Sequence, residues 1–384
     1  MGAWARLDPL HWLVLRVASG MAGERTATAV WRVLAGHRGI QTVQDVCWYG
    51  LRRYYAVVDG TEGEAVRRRL RELVAWGYLD EGGRADGGRR SITVTDAGAR
   101  ALREAPAGAA VDAVLVTWDG LRDERAWRVL YPRLLLAVQT LSHLVRGQTA
   151  FVPVVRAIDA QAWVRALLAG RSVAGCAAQL RAELEQVLDG LPPRLADMLV
   201  ASFSGCGLSG ATAQQLAAHA GASPVLVRAA LRVAVARVQE AARREPRRFP
   251  LLHNMAEPRP CEGLSASAEA TRALLLRGLD PEEVARRRGL RLATVEDHVV
   301  EIALRDPTFD IFRFLDRATH EAVWAARCRL GTVRLRAIRD ALGGTVSYFA
   351  IRLALTRPPR ARAGGESVAV PATQWGMSGG MGKG

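Results

Sequence analysis

The residues best suited to chemistry in this chain are arginines that recur at helical spacing. A guanidinium group is permanently charged and binds phosphate oxygens or the edge of a guanine in bidentate geometry. The alternative interpretation is an ordinary solvent-exposed arginine face, which an amphipathic helix of this composition would also present. Three sets have the required spacing: Arg67, Arg68 and Arg71; Arg228 and Arg232; Arg286, Arg287 and Arg291.

The overall charge favours a nucleic-acid partner. The formal net charge is +15 at pH 7, and a strongly basic protein is attracted to nucleic acid or to an anionic membrane surface. Lys383 is the only lysine, an arginine bias typical of a GC-rich genome, so the sign of the charge is more informative than any single arginine. The positive charge is concentrated between Pro224 and Arg259, where eight arginines accompany three acids.

No motif in the chain predicts catalysis or a cofactor. The sequence lacks GxxxxGK[ST], HExxH and GxSxG, and its five cysteines have no CxxC spacing that would suit zinc. Gly205–Gly210 matches GxGxxG but follows a predicted helix and not a strand, so we interpret it as a loop. We therefore expect no catalytic residue, no metal, no cofactor and no small-molecule ligand.

The chain is expected to be cytoplasmic and not associated with a membrane. The apolar run Leu10–Ala18 is too short to span a bilayer and contains His11 and Arg16. It also lacks the basic start and small-residue cleavage site of a signal peptide. Widely separated cysteines suit a reducing compartment.

Residues 1–105 have the element order of a winged helix, in which helices precede a β-hairpin with a glycine-rich tip and a further helix follows. The fourth helix, residues 62–76, carries an apolar stripe, which directs the first arginine set to the opposite face. We predict that this set contacts DNA. Residues 105–112, rich in alanine and glycine, are predicted to be a linker.

Residues 113–245 are predicted to form a helical domain with a helix-turn-helix at about 212–238. Ser223 and Pro224 suit the N-cap and first position of its second helix. Arg228 and Arg232 are one turn apart and are predicted to face outward, so they are the strongest DNA-contact candidates. The alternative is an amphipathic helix within an all-α domain.

Residues 265–356 predict another helix-turn-helix, after a proline-rich linker at 246–264. Asp280, Pro281 and Glu283 suit a helix start with a capping box, and Gly289 suits its end. The following helix, within 294–304, is predicted to turn acids outward, and these would repel phosphate and favour a protein partner. The acids are Glu296, Asp297 and Glu301. The remaining residues, 357–384, are predicted to be a disordered tail.

The C-terminal region resembles a known family, the helicase-associated helix-turn-helix domain. The resemblance is carried by the segments Leu276–Ala285, Arg288–Leu290, Thr294–Val299, Leu335–Leu342 and Val346–Leu353. This domain occurs at the C-terminus of some RecQ-type helicases and in stand-alone bacterial proteins of the YpbB type, encoded beside such a helicase. Two N-terminal segments are similar to the YpbB type as well: Gln41–Asp45 and Gly50–Tyr55.

These patterns together predict a mainly α, multi-domain helix-turn-helix protein with a winged-helix-like N-terminal domain that contains a small β-hairpin. The predicted function is non-catalytic, sequence-nonspecific or structure-selective DNA binding, and the resemblance implies a role as an accessory to a RecQ-type helicase in repair or recombination. Two alternatives remain open at the level of sequence. One is a transcription regulator that reads bases with Arg228 and Arg232. The other is a protein-interaction scaffold that docks a partner through the acidic helix 294–304.

Overall fold

The structure, a computed structural model, describes residues 6–84, 90–256 and 264–359. Within these ranges the protein is mainly α-helical, and its β structure is one two-stranded antiparallel sheet. The predicted fold class is confirmed. No helix in this part of the chain is long and apolar enough to cross a bilayer.

The N-terminal region has the winged-helix element order predicted for it. Its elements are α1 Pro9–Gly20, α2 Ala27–Leu34, α3 Ile40–Trp48, α4 Gly63–Ala75, β1 Leu79–Arg84, β2 Arg90–Val94 and α5 Asp96–Glu104. The amide of Ile92 in β2 donates to the carbonyl of Arg25 at 2.9 Å, so the turn before α2 is joined to the hairpin. The hairpin directly follows α4, so α4 occupies the recognition-helix position of a winged helix.

The central region consists of helices joined by loops. It comprises α6 Pro106–Val114, α7 Gly120–Arg125, a π-helical turn Ala126–Leu130, α8 Tyr131–Val145, α9 Ile158–Leu168, α10 Val173–Asp189, α11 Pro193–Ala201, α12 Ala213–Ala220, α13 Pro224–Arg244 and α14 Pro250–Ala256. Helix α13 packs against α1, α6, α7, α10, α11, α12 and α14, so it is the central helix of this region.

Two predicted linkers contain helices instead. Residues 105–112 fall within α6, where Gly108 lies against the indole of Trp12 so closely that a Cβ would sit 2.5 Å from Nε1. The predicted linker 246–264 contains α14, and Glu183 accepts hydrogen bonds from the amides of Leu251 and Leu252 at 3.0 and 2.9 Å. Proline and glycine suggested flexible chain at both places, but proline also starts helices, and tertiary packing decided the outcome.

The C-terminal region consists of α15 Ala266–Leu276, α16 Pro281–Arg288, α17 Leu292–Arg305, α18 Arg317–Leu330, α19 Leu335–Ala341 and α20 Tyr348–Ala354. The capping box predicted at the start of α16 is present, because Asp280 accepts from the Glu283 amide and Glu283 accepts from the Asp280 amide. Gly289 ends that helix with φ of +64°, the left-handed conformation that favours glycine.

The hydrophobic core is continuous across all three regions. The C-terminal region contacts the N-terminal one where α17 packs on α3, and Thr332 donates to the carboxylate of Glu24. Arg305 at the end of α17 donates to the carbonyl of Leu121 in α7. The three regions are therefore packed onto one another, and their boundaries as separate domains stay a prediction.

The predicted tail at 357–384 lies outside the described residues, apart from 357–359. Arg357, its first residue, is packed onto the fold. Its guanidinium donates to the carbonyl of Asp306 at 2.6 Å, and its own carbonyl lies 3.0 Å from Nε2 of His320.

Gly120→Ala is expected to lower stability by about 1–3 kcal/mol, the usual effect of overpacking. Gly120 begins α7, and a Cβ there would lie 2.1 Å from the carbonyl oxygen of Tyr55, a backbone atom that cannot easily move aside. Gly60→Ala is the control, because no heavy atom lies within 4 Å of its Cβ position. Urea unfolding followed by circular dichroism measures both, and equal effects would contradict this packing.

Candidate nucleic-acid interface

Helix α4 presents the first arginine set to solvent. An apolar stripe that includes Val66 and Leu70 buries one face of the helix. Arg67, Arg68 and Arg71 lie on the other face, each with more than half of its side chain exposed. The predicted orientation of this set is confirmed, and its role in DNA binding stays a prediction.

Acids on α4 neutralise part of this basic face. Glu64 accepts from Nε of Arg67 at 3.0 Å and from Nη2 of Arg71 at 2.9 Å, while Arg68 lies 4.0 Å from Glu72. Hydrogen bonds from Arg71 and Arg67 lower the pKa of Glu64. Exposed ion pairs of this kind are weak. A phosphate group therefore competes readily with Glu64 for both guanidinium groups.

A network of charged side chains holds α4 against α1. His11 lies with Nε2 2.8 Å from Glu72 and Nδ1 3.0 Å from Asp8, and its ring packs on Trp76 at a centroid distance of 4.8 Å. Arg69 donates to Asp8 at 2.6 Å and to Glu72 at 3.2 Å. Burial by itself would raise the pKa of Asp8, but hydrogen bonds from His11 and Arg69 outweigh it and hold that pKa well below its usual range. This network fixes the orientation in which α4 presents its arginines.

The second predicted helix-turn-helix has the expected local geometry. Thr212 caps α12 through a capping box with Gln215, and Gly221 ends the helix in the left-handed conformation. Ser223 and Pro224 then start α13. The turn is therefore present, but α13 is 21 residues long and is covered by other helices for most of its length.

The prediction that Arg228 and Arg232 face outward is wrong. Arg232 is 1% exposed, forms an ion pair with Asp59, and lies 4.5 Å above the ring of Trp127. Arg228 is mostly buried and is paired with Glu62. The physical reason is that α13 packs beside the segment that precedes α4, where Asp59 and Glu62 supply the carboxylates that a buried guanidinium needs, since an unpaired buried charge is very unfavourable. The strongest DNA-contact candidates of the sequence therefore have a structural role.

Two features of the surroundings of Arg232 act on its pKa in opposite directions. Burial favours the neutral guanidine and lowers the pKa of Arg232, while the charges of Asp59 and Glu62 raise it. Arginine starts from so high a pKa that it stays protonated at neutral pH. The contact is thus an ion pair in which the guanidinium is buried and the carboxylate is about a third exposed.

The third arginine set lies at the turn between α16 and α17. Arg286, Arg287 and Arg291 are all exposed, and none of them forms an ion pair within the described ranges. No side chain caps the first turn of α17, so its leading amides stay available there. Arg288, between them in sequence, points inward and donates to the carbonyl of Ser267 at 2.7 Å. Exposed arginines without an ion pair and an uncapped helix N-terminus are both features that favour phosphate binding, and the role of this set in DNA binding stays a prediction.

The acidic face predicted for α17 is largely committed within the protein, which corrects the expectation that it turns outward. Glu301 accepts from the amide of Ser265 at 2.7 Å and so holds the start of α15. Asp297 pairs with Arg352 of α20 at 2.6 Å. Glu296 is half-buried, and burial raises its pKa even though Arg352 opposes this effect.

The same helix is enclosed on several sides. Val300 is buried together with His298 and Leu304, because α17 packs against α3 and α20 in addition to α15 and α16. Only the first turn, which includes Leu292, is well exposed. An α-helix that reads the major groove needs a free face along several turns. In this structure α17 does not have one.

One feature that sequence analysis missed is a cleft of about 800 Å³ after α17. Phe312 stands in its wall, with the guanidinium of Arg317 4.3 Å above the ring and the His320 ring edge-on at 5.4 Å. Asp310 and Glu321 balance the arginines that line it, so charge gives no reason to place DNA there. The closely spaced phenylalanines between residues 309 and 314 were the sequence feature that could have indicated this cleft.

The described residues show no arrangement suited to a metal or a nucleotide. No group of three His, Cys, Asp or Glu side chains in this part of the chain could hold a metal ion. The GxGxxG match at Gly205–Gly210 lies in a loop between helices, as predicted, and this loop is closed by two hydrogen bonds: the amide of Gly205 donates to the carbonyl of Leu208 at 2.9 Å, and the Leu208 amide donates to the carbonyl of Gly205 at 3.1 Å. It follows helix α11.

Fold and helix turns together define this chain as a mainly α helix-turn-helix protein, a class of fold used for DNA binding. Residues 267–355 match the family described as a helix-turn-helix domain. The chain is similar to Protein YpbB of Bacillus subtilis (strain 168), with 28% identity over 361 residues that cover 90% of this chain and 96% of YpbB. The predicted resemblance to a YpbB-type helix-turn-helix protein is confirmed. No solved structure matches the chain.

Arg232→Ala is expected to destabilise the protein by about 1–3 kcal/mol, because it removes a buried guanidinium that packs on Trp127 and leaves Asp59, which is about a third exposed, with the longer contact to Arg228. Arg244→Ala on the same helix is the control, since its pair with Glu240 is exposed and is worth at most about 1 kcal/mol. Urea unfolding of both variants, with Asp59→Ala to complete a double-mutant cycle, measures the coupling. A destabilisation by Arg232→Ala no larger than that of the control would contradict a structural ion pair.

Stability is expected to depend on pH through Asp8. Its pKa is lower in the folded protein than in the unfolded chain, where it is about 3.9. The ionised carboxylate therefore stabilises the fold above that value, and this contribution is lost as the pH falls below it. Asp8→Asn should flatten the fall of the unfolding free energy between about pH 5 and pH 3. Asp189→Asn, at the exposed end of α10, should leave the profile unchanged.

Proposed function

We propose that this protein is a non-catalytic, cytoplasmic DNA-binding protein that acts as an accessory to a RecQ-type DNA helicase in repair or recombination. The DNA contacts are assigned to two surfaces. One is the basic face of α4 with Arg67, Arg68 and Arg71, beside the β-hairpin. The other is the α16–α17 turn with Arg286, Arg287 and Arg291.

The observation that carries the proposal is the exposed, unpaired state of the arginines at the α16–α17 turn. Lysine and arginine contacts to phosphate supply most of the affinity of nonspecific DNA binding. An arginine that already pairs with an acid must give up that acid first. This cost of breaking an ion pair does not arise in the described chain for Arg286, Arg287 and Arg291. The uncapped start of α17 adds amide donors to the same surface.

The enclosure of α17 supports binding to DNA backbone over base reading. Contacts limited to its first turn and to the preceding arginines would fix a protein on DNA without reporting sequence. This favours structure-selective or nonspecific binding. The helicase partner follows from the resemblance of residues 265–356 to the helicase-associated domain.

No specific observation in the structure favours either alternative function. A transcription regulator would read bases with Arg228 and Arg232, and both are held in ion pairs by acids that precede α4. A scaffold would dock a basic partner on the acids of α17, and two of these are occupied by Ser265 and Arg352. The accessory role therefore has the better support.

DNA binding is tested with fluorescence anisotropy on single-stranded, duplex and forked DNA across a salt series. The variant Arg286→Glu/Arg287→Glu/Arg291→Glu should weaken binding at least about 10-fold, and its salt slope should be smaller by roughly one for each phosphate that the variant no longer binds. The variant Arg67→Glu/Arg68→Glu/Arg71→Glu tests the face of α4 in the same way.

A control of equal charge separates direct binding from net charge. Arg181→Glu/Arg244→Glu/Arg248→Glu changes three exposed arginines elsewhere by the same amount. It should alter binding far less than the variant at the α16–α17 turn. Equal weakening by the control, or no DNA binding at low salt, would contradict the proposed interface.

The helicase role needs a separate assay. The rate at which a RecQ-type helicase from the same organism unwinds a forked duplex should rise when this protein is added, and the turn variant should not raise it. No change in rate and no co-sedimentation with the helicase would refute the accessory role, while the DNA-binding part would still be judged by the anisotropy data.

A further inference from the structure

The most exposed aromatic side chain in the described part of the protein is that of Tyr348, the first residue of α20. It is 44% exposed and lies outside the hydrophobic core, against which most aromatic rings of these ranges pack. Its hydroxyl has no hydrogen-bond partner within the same ranges. Neither core packing nor a hydrogen bond therefore accounts for an aromatic side chain at this position.

One face of the Tyr348 ring is occupied by a cation. The guanidinium of Arg339 in α19 lies 5.1 Å from the ring centroid. Its Nε also donates to the carbonyl of Val346 at 3.3 Å, so the loop before α20 holds this arginine in place. A cation–π contact of this kind uses one face of the ring. The exposed surface that remains is available to a second planar partner.

Contacts at two levels fix how α20 lies beside α17. Asp297 of α17 pairs with Arg352 of α20 at 2.6 Å. Arg357, just after α20, donates to the carbonyls of Ala303 and Asp306 at the end of α17, at 3.4 and 2.6 Å. Later residues of α20 thus meet later residues of α17. The two helices therefore run parallel, and both begin at the same end of the pair.

Tyr348 lies at that end, at the level of the first turn of α17. It precedes Arg352 by four residues, and residues four apart share a face of an α-helix. The ring is therefore on the side of α20 that Arg352 turns toward α17. The matching position on α17, four residues before Asp297, is Ala293, which is exposed. The ring and the α16–α17 turn, which ends at Arg291, thus lie at one open end of the helix pair.

Exposed arginines lie on both sides of the ring. Arg291 in the α16–α17 turn forms no ion pair in the described chain. On the other side, Arg336 precedes Arg339 by three residues and so shares its face of α19. The Arg336 side chain is 84% exposed, and its partner Asp340 is 3.8 Å away and itself exposed, so the pair is weak.

Three acids of these helices already have cationic neighbours. Asp297 is paired with Arg352, and Asp340 lies beside Arg336. Glu296 is half-buried, and the charge of Arg352 opposes its own. These acids therefore reduce the attraction of the arginines for an anion without cancelling it.

An exposed aromatic ring between arginines suits an unpaired nucleotide strand. A base stacks on the aromatic face, and the arginines bind the phosphates on either side of that base. In a duplex each base is stacked between its neighbours, and unstacking one is unfavourable. A ring on a protein surface therefore has ready access only to unpaired bases.

We propose that this end of the α17–α20 pair binds an unpaired DNA strand, with a base stacked on Tyr348 and the flanking phosphates bound by Arg291 and Arg336. Arg339 holds the ring from its other face. The inference rests on the proposed DNA-binding function and specifies the form of DNA that the α16–α17 turn takes, which is a single strand. Unwinding by a helicase produces DNA of this form.

The experiment uses the full chain and fluorescein-labelled oligothymidylate in anisotropy titrations across a salt series. The comparison probes have the same length: a duplex, an oligouridylate RNA, and a strand in which abasic tetrahydrofuran units replace every base. The wild type should bind oligothymidylate at least about five-fold more tightly than the abasic strand, because only the former has bases to stack. It should bind the RNA no more tightly than the DNA.

Tyr348→Leu should weaken binding of oligothymidylate at least about five-fold and leave the salt slope unchanged, because stacking neutralises no phosphate. The same variant should lose far less affinity for the duplex and for the abasic strand. Tyr348→Phe keeps the ring and should bind within about two-fold of the wild type. Arg291→Glu/Arg336→Glu should lower both the affinity and the salt slope.

A matched control is Phe312→Leu, a change at the other exposed aromatic residue of the described ranges, 36% exposed in the cleft after α17. It should bind oligothymidylate as the wild type does. Circular dichroism should show an unchanged fold for Tyr348→Leu, because the side chain is exposed and outside the core.

Photochemical cross-linking locates the stacked base directly. An oligothymidylate that carries 5-iodouracil cross-links to an aromatic side chain in contact with the base, and mass spectrometry should identify Tyr348 as the main site. Tyr348→Phe should keep a cross-link at this position, and Tyr348→Leu should lose it.

The inference is overturned if Tyr348→Leu binds oligothymidylate as tightly as the wild type, if it loses as much affinity for the abasic strand, or if the cross-link maps elsewhere. Tighter binding of the RNA would assign the site to RNA and would also overturn it. If Arg286→Glu/Arg287→Glu/Arg291→Glu still weakens DNA binding in those cases, the proposed function stands without this inference. No binding of any DNA would contradict both.

Discussion

The buried contact between Arg232 and Asp59 is the interaction on which the arrangement of the protein depends. Asp59 is part of the capping box that leads into α4, and Arg232 lies in the middle of α13, the central helix. A charge removed from water is very unfavourable unless its partner is correctly placed. When α13 packs, this requirement holds the chain before α4 against it. The position of the start of α4 therefore depends on a residue more than 170 positions away in sequence, while the network around Asp8 and His11 orients its basic face.

The winged helix and the two helix-turn-helix segments differ in what they present. Helix α4 keeps a free arginine face, α13 is surrounded and serves as the core of the central region, and α17 is enclosed except at its first turn. The capping residues and turn glycines are similar in the second and third cases. Local sequence thus specifies the turn, and packing against α3, α20 or the neighbours of α13 decides whether the helix stays available.

Arginine in this protein also holds its regions together. Arg133 of α8 donates to the carbonyl of Met255 at 3.0 Å, Arg313 to that of Leu275 at 3.0 Å, and Arg305 reaches the carbonyl of Leu121. A planar guanidinium on a long side chain reaches distant carbonyls and caps helix ends where their carbonyls are unsatisfied. The net positive charge therefore overestimates the number of arginines available to bind DNA, because several arginines stabilise the fold instead.

The sequence by itself determined most of the helices, their caps, the β-hairpin and the resemblance to YpbB. Asp280 with Glu283, Thr212 with Gln215, and the glycines at 221 and 289 form contacts within a few residues, and such contacts follow directly from residue type and spacing. The outward face of α4 was predictable for the same reason, since its apolar stripe is regular. Tertiary structure alone decided that Arg232 is buried, that Glu301 caps α15 and that residues 106–114 are helical. Each of these outcomes depends on a partner that is distant in sequence. Apolar periodicity shows which face of a helix is buried, but it does not show whether other helices also cover the polar face.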